Sequence, residues 1–83
     1  MIPYNTEKNV PGIINVFGKF LSIKDVYNDD FILLSEISGV SINGSNAILR
    51  LKSGKDHIVG VIDLKTADKI RDYIVYAINN MDK

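Results

Sequence analysis

Residues 40–63 alternate short apolar runs with glycine-bearing turns, and a longer period follows. Ala47, Leu49 and Leu51 alternate with Ile48, Arg50 and Lys52, the two-residue repeat of a strand with one apolar face and one mostly wet face. Asn43-Gly44 precedes this run and is a strong hairpin signal, because both residues accept the positive φ that matches two twisted antiparallel strands. Strands over about 37–42 and 47–52 are therefore predicted to pair across it. Ser53-Gly54-Lys55-Asp56 reads as the next turn, and His57 to Ile62 is apolar on both parities, as in a more central strand. Beyond it Ala67, Ile70, Ile74, Ala77, Ile78 and Met81 recur at steps of three and four, which predicts an amphipathic helix capped by Asp63 or Thr66. Burying each of its four large stripe residues stabilises by about 1.5–3 kcal/mol. That sum rivals the net stability of a small domain, so the helix must cover the sheet or a copy of itself.

The first third of the chain is less regular. Pro3, Pro11 and Gly12 predict an arm or loop over 1–12. Ile13, Val16, Phe17, Phe20 and Leu21 fit a helical spacing interrupted by Gly18, while the run FGKFLSIKDV also fits a strand with Phe20, Ser22 and Lys24 on one face. We read a short helical turn followed by a strand over about 19–26, a turn at Tyr27-Asn28-Asp29-Asp30, and an extended run from Phe31 to Leu34. The prediction is a single small α+β domain spanning 1–83: a mostly antiparallel β-sheet of four to five strands with the C-terminal amphipathic helix packed on it.

Three antiparallel strands and a closing helix over 37–81 resemble in outline an ending common in small bacterial and phage proteins, including the flagellar swarming-motility family with its I-x-L-x-N-G pattern. Leu49-Arg50-Leu51-Lys52-Ser53-Gly54 occupies the comparable place, with Ser53 where that family has Asn. The resemblance covers a hairpin and carries no function over.

Composition narrows the function. Ten basic and ten acidic residues cancel, so the charge balance offers no electrostatic funnel for nucleic acid or an anionic membrane. Cysteine is absent, which excludes disulfides and thiolate metal sites and fits a reducing, cytoplasmic setting. No run approaches the ~18–20 apolar residues of a membrane span. Thirteen Ile, eight Lys and eight Asn point to an AT-rich genome such as that of a low-GC bacterium or phage. At 83 residues the core is thin, since such a chain buries only about 60–65% of its unfolded surface, and self-association would add to it.

Chemistry-bearing residues are few. His57 is the one histidine, and no Ser or Thr is identified by spacing as its nucleophilic partner. Asp25, Asp29 and Glu36 match positions 1, 5 and 12 of a calcium loop, but Tyr27 stands at position 3 and Asp30 where a glycine makes the bend. Neither a phosphate loop nor a dinucleotide fingerprint is present. These readings predict no catalytic residue, no metal and no cofactor.

The expectation is a non-enzymatic protein-interaction module, a small cytoplasmic adaptor, regulator or phage-encoded inhibitor that forms a homo-oligomer. Tyr73, Val75 and Tyr76 flank the helix stripe and cannot all lie beneath the sheet, which makes them the candidate contact surface. One alternative is a nucleic-acid module using Arg50, Lys52 and Lys55. Another is an oligomer that binds a nucleotide or metabolite between subunits.

Overall fold

The computed structural model describes residues 1–81. Strands β1 (Ile2–Asn5), β2 (Pro11–Phe17), β3 (Phe20–Lys24) and β4 (Asp29–Leu33) form an antiparallel meander in sequence order. A 3₁₀ turn, Leu34–Glu36, leads into a second antiparallel sheet of β5 (Ile37–Asn43), β6 (Asn46–Leu51) and β7 (Asp56–Gly60). Helix α1 (Leu64–Asn79) closes the chain and packs against β5 and β6 of that second sheet. The fold is α+β with a C-terminal helix on an antiparallel sheet, as the pattern predicts, and among the described residues the strands number seven in two sheets where the pattern predicts four to five in one.

The sheets share one core. A bridge between Thr6 and Val61 and a hydrogen bond from the Ile62 N–H to the Asn5 carbonyl (3.0 Å) join β1 to the segment after β7. Ile14, Leu21 and Ile23 enter the core from the first sheet, Ala47, Leu49 and Val59 from the second, and Ala67, Ile70 and Ile74 from the helix, all fully buried. Ala77, Ile78 and Met81, the rest of the predicted stripe, are partly buried against them. The helix begins at Asp63, whose Oδ1 accepts from the Thr66 N–H at 2.8 Å. That bond satisfies one of the free donors of the first turn, and the bonds from Thr66 hold the Asp63 carboxyl below its usual pKa.

Four local readings are corrected. Residues 1–12 are not wholly an arm or loop, because Ile2–Asn5 pair with β2 and bury Tyr4. The prolines permit this: Pro3 lies in an outer strand and Pro11 opens β2, places where a missing N–H costs the ladder least. The helical turn near residues 13–17 is instead strand β2, joined to β3 by a two-residue loop, Gly18-Lys19. In the β5–β6 hairpin Asn43 pairs with Asn46, so Gly44-Ser45 forms the loop, one residue later than expected, with Gly44 at φ +64°.

The β3–β4 turn is also displaced, to Asp25–Asn28, because Asp25 organises it. Its Oδ1 accepts from the N–H groups of Tyr27 (2.6 Å) and Asn28 (2.9 Å), while Oδ2 accepts from the Tyr4 hydroxyl. Tyr4 reaches it by lying across Gly12, its register partner in β2. Burial raises the pKa of the Asp25 carboxyl, but hydrogen bonds from Tyr4, Tyr27 and Asn28 outweigh it and the net shift is downward. Burial, then the bond to Asp25, raises the Tyr4 hydroxyl well above its ordinary 10.0.

These two shifts set a pH window for stability. A folded pKa below the unfolded one means that Asp25 stabilises fully above its ordinary 3.8 and loses that contribution as pH falls through the lower folded value. A raised folded pKa means that Tyr4 stabilises fully below about 10 and loses its contribution as pH rises further. Urea midpoints are therefore expected to hold between about pH 5 and 9 and to drop on both sides. Tyr4→Phe should flatten the alkaline drop; an unchanged alkaline limb in that variant would show that Tyr4 does not cause it.

Candidate functional site: an exposed aromatic face

Strand alternation sends Ile14, Leu21, Ile23 and Ile32 of the first sheet inward, and the intervening residues outward. The outward set is unusual, since it holds all three phenylalanines of the chain. Phe17 (56% exposed) stands opposite Phe20 (43%), Phe20 stands opposite Leu33 (38%), and Phe31 (67%) stands opposite Ser22. The Phe31 ring meets Phe20 edge-on at 6.2 Å between centroids, and Phe17 at 6.4 Å with a 54° tilt. These are the edge-to-face and tilted arrangements that aromatic quadrupoles favour. The rings hold one another in place while remaining in water.

Taking about 200 Å² for a fully exposed phenylalanine, the three rings and Leu33 leave roughly 400 Å² of contiguous apolar surface. A patch of that size on a small monomer commonly marks a contact site. Asn15 and Ser22 form the next cross-strand row of this face, and Ile13, Lys24 and Asp29 the row beyond. Phe17, Phe20 and Leu33 thus occupy one end, Phe31 stands beside the small polar Ser22 and Asn15 in the middle, and a lysine opposite an aspartate, with Ile13 beside them, forms the other end.

The helix residues anticipated as a contact surface are divided. Tyr73 is half-buried, and its hydroxyl accepts from the Val16 N–H (3.0 Å) and the N-terminal amine (3.3 Å) and lies 3.5 Å from Asn15 Oδ1. It ties α1 to β2. Tyr73→Phe is expected to cost about 0.5–1.5 kcal/mol, read as a lower urea midpoint at an unchanged slope. Val75 is half-buried, and Tyr76 is 71% exposed. Tyr73 and Tyr76 line a shallow groove of about 440 Å³ with Val16, Leu34, Ala77 and Met81, whereas Val75 does not reach it.

Arg50, Lys52 and Lys55 lie on and beside the outer face of the second sheet, away from the phenylalanines. Arg50 is paired with Asp56 at 3.0 Å, and its Nε lies 3.4 Å from the Ser41 hydroxyl; Lys52 and Lys55 are exposed in or beside the β6–β7 turn. His57 points between the sheets, where its buried Nε2 is 3.6 Å from Asp30 Oδ2 and has no hydrogen-bond partner among the described residues. Asp25 is engaged by Tyr4 and the turn, and among the described residues no three His, Asp or Glu side chains gather around a point that would hold a metal.

The sequence places Phe20, Ser22 and Lys24 on one strand face, but the helical spacing of residues 13–17 conceals Phe17 as their neighbour, and no local signal pairs Phe31 and Leu33 with that face. No helix among the described residues is long and apolar enough to cross a membrane. Compared with models of protein families, with curated proteins and with solved structures, the chain has no significant match.

Proposed function

We propose that the chain is a non-enzymatic, cytoplasmic protein-interaction module that engages another protein chain through the outer face of its first sheet. The observation that carries this reading is the cluster of Phe17, Phe20, Phe31 and Leu33, exposed together on one sheet face with the three rings in mutual contact. Exposed aromatics held by mutual contact lose little side-chain freedom on binding, so more of the burial they offer appears as affinity. The Tyr73–Tyr76 groove is the lesser contact candidate, because the Tyr73 hydroxyl is already committed within the fold.

Stacking of single-stranded nucleic acid is the second reading, favoured by aromatic rings on a sheet face with Lys19 and Lys24 nearby. It is weaker on two counts: the rings meet edge-on and tilted, not as a row of parallel platforms, and Asp29 stands directly opposite Lys24.

Photo-crosslinking of the full chain in cells distinguishes these readings. With benzoylphenylalanine in place of Phe31, adducts to protein are expected; in place of Ile58, exposed on the second sheet, far fewer. Equal labelling from both positions, or nucleic-acid adducts alone from position 31, would overturn the proposal.

A further inference from the structure

We infer that the occupant of the aromatic face is a second copy of this chain, docked face to face about a two-fold axis that runs parallel to the strands midway between β3 and β4. The inference rests on the protein-interaction reading above and names its partner. It follows from the register of the two strands, in which Phe20 pairs with Leu33, Ser22 with Phe31 and Lys24 with Asp29.

A two-fold axis in that position exchanges β3 for β4, so each outward residue faces the second copy's version of its own cross-strand partner. Phe20 then meets Leu33 of the second copy, apolar on apolar. Phe31, the most exposed of the phenylalanines, stands in the row of Ser22 and leans toward Phe17 and Phe20 of its own chain, so it brings apolar surface to the axis beside the small Ser22 of the second copy. Lys24 meets Asp29 of the second copy, opposite charge on opposite charge. Every row is complementary, and symmetry repeats each contact twice.

An axis midway between β2 and β3 sets Ile13 against Lys24 of the second copy and leaves the lysine without a counter-charge. An axis along β3 itself sets Lys24 against Lys24 of the second copy. One across the strands sets the phenylalanine row against the charged row. Phe17 lies outside the central block, on β2, and overhangs the free edge of β4 in the second copy.

Two sheets so arranged keep their strands roughly aligned, about 10 Å apart, as in ordinary sheet-on-sheet packing. The two apolar patches with their polar rows would bury roughly 1,000–1,200 Å² in total, the low end for specific interfaces. A reversible dimer is therefore expected.

Charge exchange between chains tests the geometry. Sedimentation equilibrium of the full chain should give a dimer whose mass falls on dilution. Lys24→Asp and Asp29→Lys, each alone, should weaken dimerisation by roughly tenfold or more, because like charges then oppose each other twice. An equimolar mixture of the two variants should recover the dimer, since the new carboxylate of one chain faces the new ammonium of the other. Within each chain the pair remains repulsive, so this recovery reports contact between chains. Phe31→Ser, at an exposed position whose loss leaves the core intact, should also abolish dimerisation while circular dichroism shows an unchanged fold.

A wild-type monomer at millimolar concentration, or a mixture no more associated than its components, would overturn the second-copy proposal. Adducts from position 31 to a different protein would then leave the interaction reading standing. Absence of any protein adduct would remove both.

Discussion

Gly12→Ala is expected to destabilise the fold by about 2–3 kcal/mol and to lower the melting temperature by roughly 10–20 °C. A methyl group at position 12 would lie 2.6 Å from Cζ of Tyr4 and 2.8 Å from Cβ of Asp25, inside van der Waals contact with both. Neither neighbour can yield cheaply. The Tyr4 ring is held flat over β2 by its own burial and by the hydroxyl bond to Asp25, and Asp25 is held by the turn it organises. The alternative is to lift β1 away from β2, which exposes Tyr4 and loosens the Thr6–Val61 bridge between the two sheets. A double-mutant cycle isolates the cause. Tyr4→Leu removes the ring and the hydroxyl, so on that background Gly12→Ala should cost about half as much, the Asp25 contact remaining. Equal costs on both backgrounds would mean that the ring does not set the requirement for glycine.

That arrangement also shows why the N-terminal third resisted reading from sequence. Pro3, Pro11 and Gly12 are ordinarily breakers, and their composition predicts a loop. Each is tolerated for a reason visible only in three dimensions: Pro3 lies in an outer strand, Pro11 opens β2, and Gly12 leaves room for a tyrosine from the neighbouring strand. Residues 13–21 misled differently. Ile13, Val16, Phe17, Phe20 and Leu21 mimic helical spacing because a two-residue turn at Gly18-Lys19 shifts the parity of the two-residue repeat. Ile14, Leu21 and Ile23 face the core, while Ile13, Phe17 and Phe20 face water. Apolar residues on both faces erase the alternation that makes a strand legible, and here the outer apolar set is the candidate site.

The second half is more legible because its period is unspoiled, although β7, which the pattern predicts as a more central strand, lies at the edge of its sheet. Ala47 and Leu49 are fully buried between more exposed neighbours, and Ala67, Ile70 and Ile74 are buried on one helix stripe. Tyr73, Val75 and Tyr76 lie off that stripe, which predicts them as a contact surface. Sequence spacing cannot reveal that the Tyr73 hydroxyl meets a backbone N–H 57 residues away.

Simultaneous Ile70→Ala and Ile74→Ala is expected to leave the chain largely unfolded at room temperature. Both side chains are fully buried where α1 covers β5 and β6, and each truncation loses transfer free energy and leaves a cavity, about 2–5 kcal/mol apiece. Together they remove roughly 4–10 kcal/mol, against a net stability of about 4–12 kcal/mol for a domain of this length. Far-ultraviolet circular dichroism should show helix and sheet signals lost in one transition, since a single core joins both sheets to the helix. Tyr76→Ala, on the same helix at 71% exposure, should shift stability by no more than about 0.5 kcal/mol. Retention of the sheet signal after loss of the helix would show instead that the seven strands are stable alone and that α1 is an appendage to them.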